Sequence, residues 1–218
     1  MLLIHKIKRK TEDIWWEMCQ SIVGRKAIDR KNRRRLINQE VSIIASTCNG
    51  GVIYHDLGLQ YRSPFINLWI KPDDFIKLLS DLRGYLTYDL RFIREEGISY
   101  PVAVLKDIHI YFQHYKTEEE AESCWKRRVK RMEYDNVAVF FTDRDGCTYE
   151  NLKNFDNSPY ERKVVFTHTD YPEFKSAYYF DCFSKEKEVG VLTEFSNSKL
   201  KTRYLDEYDY VALLNKGR

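Results

Sequence analysis

The order of apolar and polar positions along the chain predicts strands that alternate with helices. Residues 41–46 form an apolar run typical of a buried strand, and a polar turn with two glycines follows over 47–51. A short helix is predicted over 52–57, a second strand over 63–70, and then a helix that begins near Pro72 and has one apolar face. This order of strand, helix, strand and helix is typical of a parallel sheet with right-handed crossovers.

The second part of the chain adds a hairpin and further strands and helices. Alternating residues predict paired strands over 100–105 and 108–115, and Thr117 begins a helix with a capping-box-like start. The remaining predictions are strands over 136–142 and 162–167, a helix over 149–155, and short strands or loops over 177–183, 189–195 and 208–214. We therefore expect a single α/β domain over residues 1–218, with a mostly parallel sheet flanked by helices on both faces in three layers.

Residues 1–40 are predicted to form a basic helical segment. One helix begins near Thr11 and is interrupted at Gly24, and a second helix covers 27–39. The second helix carries a cluster of basic side chains: Arg30, Lys31, Arg33, Arg34 and Arg35. Two interpretations stay open, a solvated helix face or peripheral contact with anionic head groups at the inner face of a membrane.

The composition is that of a folded protein, because 43% of the 218 residues are hydrophobic and 15% are aromatic. The net charge of +3 does not indicate a nucleic-acid partner. The five cysteines are odd in number and include no CxxC pair, and the apolar start is too short for a secretory signal. These features predict a reduced, cytoplasmic protein, and no apolar run approaches the ~20 residues of a membrane span.

Chemically capable side chains follow three predicted strands. Cys48 follows the strand over 41–46, Asp143 to Asp145 follow the strand over 136–142, and His168 follows the strand over 162–167. If these strands are parallel neighbours, the three groups lie at one rim of the sheet, where ligands of open α/β sheets bind. The sequence therefore predicts a site at this rim.

An acyl-transfer interpretation centres on the first of these groups. Cys48 is the candidate nucleophile, and His55 or His114 is the candidate base. The amides at Asn49, Gly50 and Gly51 would bind an oxyanion or a phosphate, because helix starts favour anions. The remaining carboxylate of this stretch, Asp56, is assigned to substrate binding. The alternative is a small buried cysteine under a plain tight turn.

A glycosyl-transfer interpretation uses the same rim differently. The turn at Gly50 and Gly51 would bind a diphosphate, and Asp143 or Asp145 would hold a sugar hydroxyl or a divalent metal. The short acidic motif is similar to the acidic dyads of many glycosyltransferases, and its alternative is an ordinary turn. The other residues assigned to substrate binding at this rim are Arg144 and His168.

The histidines do not indicate a metal site. His109 and His114 are expected on opposite faces of one strand, so only one of them can face a given pocket. No metal ligands are assigned, and the residues do not identify a cofactor.

Nine stretches of the sequence together resemble conserved blocks of one known family. They are STCNGG (46–51), YHDLGL (54–59), YRSPF (61–65), FQHY (112–115), EEA (119–121), WKRR (125–128), DN (135–136), DRDG (143–146) and KVVFT (163–167). The family that they resemble is a bacterial domain of unknown function numbered 1919, whose members are often labelled exopolysaccharide biosynthesis proteins. Its members commonly carry an aromatic residue after the cysteine, where this chain has Asn49.

The resemblance implies an α/β fold and a setting among capsule or surface-polysaccharide genes. The strand-end cysteine is also similar to that of bacterial polysaccharide acetyltransferases, which use a Cys–His site and coenzyme A. We therefore expect a transferase of exopolysaccharide or capsular polysaccharide biosynthesis, by acyl or glycosyl transfer, whose partner is a sugar or polysaccharide precursor on a carrier. The alternative is a non-enzymatic accessory protein that binds a glycan, a nucleotide sugar or an assembly partner.

Overall fold

A computed structural model describes residues 24–217 of the chain. The strands in chain order are β1 (Ser42–Ala45), β2 (Arg91–Ile93), β3 (Val102–Leu105), β4 (Ile108–Tyr111), β5 (Val137–Thr142), β6 (Lys163–Thr167), β7 (Ala177–Tyr179), β8 (Phe195–Asn197) and β9 (Thr202–Arg203). The helices are α1 (24–35), α2 (Asn49–Leu57), α3 (Pro72–Ser80), α4 (Leu82–Tyr85), α5 (Glu118–Val129), α6 (Tyr149–Asp156) and α7 (Tyr210–Asn215).

The main sheet has four parallel strands in the order β1-β5-β6-β7. Every residue of β1 and β5 is buried, as expected for strands that are covered on both faces. Along β5, Val137, Val139 and Phe141 point into one core, whereas Ala138 and Phe140 point into the other. Helices α3, α5 and α6 cover the first face, and α2 and α7 cover the second. The prediction of a mostly parallel α/β sheet flanked by helices on both faces is confirmed.

A second, antiparallel sheet joins β2, β3 and β4. The predicted hairpin is confirmed, since β3 pairs with β4 from Val102 opposite Tyr111 to Leu105 opposite Ile108. Its turn places Lys106 at a φ of 58°. The predicted helix that begins at Thr117 is also confirmed, since the Thr117 side chain accepts the N–H of Glu120 and α5 follows.

The predicted strand over 63–70 is wrong. This stretch is irregular and makes an isolated bridge between Trp69 and Tyr111, and the N–H of Ile70 donates to the Ser46 carbonyl at 3.0 Å. Asn67 has a left-handed φ of 58°, which interrupts an extended chain. The apolar run reflects burial of an irregular segment, and the neighbour of β1 in the sheet is β5.

The prediction of a strand or loop over 208–214 is also wrong, because this stretch contains α7. Asp209 caps the helix by accepting the N–H of Ala212 at 3.1 Å. Tyr210, Val211 and Leu214 are buried at helical spacing, a pattern too short to stand out from the sequence.

The basic segment is helical over residues 24–35. The prediction of a helix near Thr11 lies outside the described residues, and so does its junction with the second helix before Gly24. Helix α1 includes residue 24, three residues before the predicted start at 27. Helix α1 ends at residue 35, and not at 39 as predicted, because the Asn215 side chain forms hydrogen bonds with the backbone groups at this end. Asn215 Oδ1 accepts the N–H of Ile37 at 2.8 Å, and Asn215 Nδ2 donates to the Arg35 carbonyl at 2.8 Å. Within residues 24–217, no helix has both the length and the apolar character needed to span a bilayer.

Candidate functional site

A cleft of about 600 Å³ opens at the carboxyl rim of the main sheet. The strands β1, β5 and β6 are parallel neighbours, so their ends and the groups that follow them lie side by side at this rim. The cleft is lined by Thr47, Cys48, Asn49, Trp69, Tyr100, Gln113, His114, Thr142, Arg144, Asp145, Gly190, Val191, Leu192, Thr193 and Glu194. The cleft therefore contains part of the predicted strand-end chemistry, namely Cys48, Arg144 and Asp145.

Helix α2 starts at the cleft and carries the glycines inside its first turn. The predicted glycine turn followed by a helix from residue 52 is corrected, because the helix begins at Asn49. A Cβ on Gly50 would lie 3.1 Å from the Ala45 Cβ and 3.3 Å from the Ile43 Cγ2, so this glycine allows α2 to pack closely on β1. The predicted helix end at Gly58 is confirmed by its left-handed φ of 68°.

Cys48 precedes the first turn of α2 and lines the cleft, half-buried. Burial raises the pKa of its thiol above the ordinary value. A thiolate nucleophile requires the opposite shift. His114 also lines the cleft and is exposed. Two of the predicted acyl-transfer groups therefore share the cleft, but the environment of the thiol disfavours its reactive form.

Asn49 and Thr142 are buried polar residues that face the cleft. Asn49 is 4% exposed and Thr142 is 3% exposed, and both line the cleft. Neither side chain forms a hydrogen bond within residues 24–217. Their polar atoms are not closed off from solvent, so these two groups are available to a molecule in the cleft.

His55 and Asp56 lie away from the cleft, which corrects their predicted placement beside Cys48. They belong to the last turn of α2, ~9 Å along the helix axis from Asn49. The His55 side chain is 75% exposed, and its Nδ1 lies 3.1 Å from Asp56 Oδ1. Asp56 is buried and pairs with Arg25 and Arg203, so its carboxylate anchors α1 and the C-terminal region to α2.

Asp143 and His168 meet, as neighbouring strand ends should, but neither lines the cleft. Asp143 Oδ2 lies 2.5 Å from the His168 Nδ1 and accepts the His168 backbone N–H at 2.7 Å. Asp143 Oδ1 accepts the Val189 N–H at 2.8 Å. The carboxylate predicted to hold a sugar or a metal therefore fastens the loop that leads into the cleft wall.

Asp145 is the exposed carboxylate of the acidic motif and does line the cleft. Its backbone has a left-handed φ of 60°, its N–H donates to Glu188 at 2.8 Å, and its Oδ2 accepts the Trp69 indole N–H at 3.0 Å. Arg144 donates to the Val189 carbonyl at 2.9 Å and pairs with Glu188 at 3.4 Å. These contacts fix the position of Asp145 at the edge of the cleft.

A smaller recess of about 350 Å³ adjoins the cleft. It shares Trp69 and Asp145 with the cleft, so the bond between the Trp69 indole and Asp145 stands between the two spaces. The other residues that line the recess are Lys71, Pro72, Asp73, Asp74, His109 and Gly146. Within residues 24–217, no three His, Cys, Asp or Glu side chains are grouped to hold a metal ion.

Comparison with known proteins gives two findings. The model of the family described as domain of unknown function DUF1919 matches residues 19–215. The chain belongs to the DUF1919 family. It is similar to an uncharacterized protein of Haemophilus influenzae, with 44% identity over 188 residues that cover 86% of this chain and 90% of the relative. The predicted family resemblance is therefore confirmed, and it extends beyond the stretches on which it was first seen.

The sequence alone missed several cleft residues of this DUF1919 chain. Trp69 and Tyr100 come from irregular segments, and residues 190–194 belong to a loop with no regular pattern. The sequence did contain a signal for Thr142, since this residue ends a predicted strand and directly precedes the acidic motif. The others converge only through the tertiary fold.

Proposed function

We propose that this protein is a transferase of surface-polysaccharide assembly that moves a sugar from an activated donor to a glycan acceptor. The observation that carries the proposal is the lining of the rim cleft, where two aromatic residues accompany the unpartnered side chains of Asn49 and Thr142. The setting in exopolysaccharide or capsule biosynthesis comes from the family resemblance. The cleft supplies the chemical argument for a sugar.

Sugar recognition needs flat apolar faces and convergent polar groups. Trp69 and Tyr100 offer ring faces, and both rings are partly buried at the cleft wall. Around them stand Asn49, Gln113 and Glu194, which donate to or accept from hydroxyl groups. A few polar groups on a partly apolar concave surface are typical of small-molecule sites.

The adjoining recess provides a place for a second sugar. It contains the carboxylates of Asp73 and Asp74 together with His109 and Lys71, all of which can bond to hydroxyl groups. Because the recess and the cleft share Asp145, a donor in the cleft and an acceptor in the recess would meet at this carboxylate.

The proposed reaction is a displacement at the anomeric carbon of the donor. The bond from this carbon to the phosphate oxygen breaks, and a bond to an acceptor hydroxyl oxygen forms. Asp145 takes the proton of the acceptor hydroxyl, and the phosphate leaves with the bonding electron pair. His114, which lines the same cleft, is the alternative base.

Glycosyl transfer is better supported than acyl transfer through Cys48. Burial raises the pKa of this thiol, so the thiolate that would attack an acyl donor is disfavoured at neutral pH. Of the two predicted bases for the thiol, His55 lies at the far end of α2.

We place the protein in the cytoplasm at the inner face of the membrane, where carrier-linked sugar precursors are found. Helix α1 supports this placement with three exposed basic side chains spaced four residues apart: Lys26, Arg30 and Arg34. None of the three forms an ion pair within residues 24–217. Such a stripe is suited to anionic lipid head groups.

The test is turnover of nucleotide sugars in the presence of a membrane fraction that supplies carrier-linked acceptors. We expect release of the nucleoside diphosphate, and Asp145→Asn should reduce the rate by about 10²–10⁴-fold as expected for loss of a general base. Cys48→Ala should retain activity. Transfer from acetyl-CoA that requires Cys48 would instead support acyl transfer.

The cleft also suits an accessory protein that only holds a glycan. The raised pKa of the Cys48 thiol and the structural contacts of Asp143 favour this second candidate, because one disfavours the predicted nucleophile and the other occupies a carboxylate predicted to bind substrate. Tight binding of a glycan or nucleotide sugar without turnover, under conditions in which acceptors are present, would assign this role.

A further inference from the structure

We infer that the N-terminus of α2 binds the pyrophosphate of the activated sugar, with the Asn49 amide and the Thr142 hydroxyl as its side-chain ligands. This inference rests on the proposed function and names the anionic part of its substrate. The shared chemistry is a sugar-linked pyrophosphate, which can come from a nucleotide sugar or from a polyprenyl carrier.

The backbone supplies the first set of donors. The N–H groups of Asn49, Gly50 and Gly51 open the nine-residue helix α2 and form no hydrogen bond within residues 24–217. Of these three residues, Asn49 lines the cleft, and Gly50 and Gly51 follow it in the first turn. The first bonded amide of the helix is that of Val52, which donates to the Cys48 carbonyl at 3.2 Å. Such unpaired N–H groups and the helix dipole together favour an anion.

The buried side chains supply an independent observation. The Asn49 side chain borders the cleft, is almost fully buried with its residue, and has no partner within residues 24–217. Thr142 lies at the end of the neighbouring strand β5. It also borders the cleft, is almost fully buried as a residue, and its hydroxyl has no hydrogen-bond partner within residues 24–217. Neither polar group is closed off from solvent, so both can donate a hydrogen bond to a ligand in the cleft.

The charges around the first turn of α2 are compatible with a bound anion. The first turn of α2 contains no acidic residue, and Cys48 makes no side-chain cap. By contrast, the first turn of α3 contains Asp73 and Asp74, whose carboxylates offset the positive end of that helix dipole. Arg144 adds a cation to the cleft wall, although Glu188 pairs with it.

The cleft also contains carboxylates, and these fit the sugar part of the substrate. Asp145 belongs to the loop after β5 and Glu194 to the segment before β8. Carboxylates repel phosphate but accept hydrogen bonds from sugar hydroxyls. We therefore assign the start of α2 to the pyrophosphate, and Asp145 and Glu194 to the sugar and the acceptor.

Isothermal titration with inorganic pyrophosphate and with UDP tests this assignment on the full chain. Asn49→Asp keeps the side-chain shape but adds a negative charge, so we expect at least a ~tenfold loss of affinity for both probes. Thr142→Val removes one hydroxyl with little change in shape, and we expect a loss of about fivefold. The matched control is Asn154→Asp on the exposed face of α6, which should bind both probes as the wild type does.

A third probe, a short polyprenyl pyrophosphate, distinguishes the two sources of the anion. Stronger binding of UDP indicates a nucleotide sugar, and stronger binding of the polyprenyl compound indicates a carrier, and either result upholds the inference. Equal binding of pyrophosphate to wild type and to both cleft variants would overturn it.

Failure of the inference can be told apart from failure of the proposed function with an uncharged oligosaccharide. If the oligosaccharide binds, loses affinity in Trp69→Ala, and no pyrophosphate compound binds, the anion site is wrong and the sugar cleft stands. If neither the oligosaccharide nor any pyrophosphate compound binds, the anion site and the proposed function both fail.

Discussion

The carboxylate of Asp143 holds His168 through two contacts on one oxygen, the backbone N–H at 2.7 Å and the ring Nδ1 at 2.5 Å. The other oxygen accepts the N–H of Val189 at 2.8 Å. Asp143 thus ties the end of β5 to the end of β6 and to the loop that forms one wall of the cleft. Asp143, which was predicted from the sequence to bind substrate, is a structural clamp beside the cleft.

Replacement of this clamp should therefore affect stability first. We expect Asp143→Asn to lower the free energy of unfolding by about 1–3 kcal/mol, because the amide cannot accept on both sides and a buried donor loses its partner. Urea unfolding measures this change. Asp145→Asn, on an exposed carboxylate of the same motif, is the control and should unfold within about 0.5 kcal/mol of the wild type. Equal stability of both variants would contradict the clamp.

The two glycines at the start of α2 should respond differently to alanine. A Cβ on Gly50 meets the Ala45 Cβ at 3.1 Å and the Ile43 Cγ2 at 3.3 Å, so Gly50→Ala should destabilise by about 1–3 kcal/mol. A Cβ on Gly51 meets the Asn67 Oδ1 at 2.7 Å, and Asn67 is exposed, so its side chain can turn away. Gly51→Ala should then be neutral or stabilise by up to ~1 kcal/mol through helix propensity.

Thermal or urea unfolding of the two glycine variants, side by side, checks this pair. Similar losses of unfolding free energy in the two variants would mean that the glycines share a role that packing does not explain.

The reactivity of Cys48 should follow its raised pKa. Alkylation proceeds through the thiolate, and burial raises the pKa of this thiol, so the labelling rate should rise at higher pH than for a free thiol of pKa about 8.5. Iodoacetamide labelling followed by peptide mass spectrometry, with glutathione in the same reaction as the reference, gives the two midpoints. A Cys48 midpoint below that of glutathione would restore the nucleophile interpretation.

The buried ion pairs beneath α1 should contribute strongly to stability. Asp56 is buried and pairs with Arg25 and Arg203. Asp56→Asn leaves the largely buried Arg203 without this ion-pair partner, whereas Arg25 keeps Asp29 and Asp206. We expect a loss of about 3–5 kcal/mol in urea unfolding. Glu40→Gln, which removes an exposed partner of Arg62, should cost less than about 1 kcal/mol. A small change in the Asp56 variant would mean that water already screens this cluster.

The basic stripe on α1 should bind anionic membranes. We expect the triple charge reversal Lys26→Glu, Arg30→Glu and Arg34→Glu to abolish co-sedimentation with phosphatidylserine-containing vesicles, since each basic side chain contributes about 1 kcal/mol near such a surface. The control carries the same charge change at scattered exposed lysines: Lys175→Glu, Lys185→Glu and Lys187→Glu. An equal loss in both variants would indicate a response to net charge alone.

Much of the fold was predictable because the buried strands are short apolar runs with clear ends. The strands at 42–45, 137–142 and 163–167 and the capped helix after Thr117 follow directly from pattern and capping chemistry. The error at 63–70 has a physical reason. A buried irregular segment is as apolar as a buried strand, and only the left-handed Asn67 distinguishes the two.

The position of a cleft at the sheet rim was predictable, but most of the residues that line it were not. Parallel strands place their ends at one rim, and this rule correctly brought Cys48, Asp143 and His168 to the same edge of the sheet. The sequence could not show that the Asp143 carboxylate is occupied by backbone N–H groups or that α2 points His55 away from the cleft. Both depend on helix and loop packing that local patterns do not encode.

Hydrogen–deuterium exchange with and without a nucleotide sugar tests the central claim most directly. The N–H groups of Asn49, Gly50 and Gly51 form no hydrogen bond within residues 24–217, so they should exchange rapidly in the free protein. We predict that the ligand protects residues 47–52 together with the cleft wall at 190–194. Unchanged exchange at both segments, under conditions in which the ligand is bound, would contradict a substrate site at this rim.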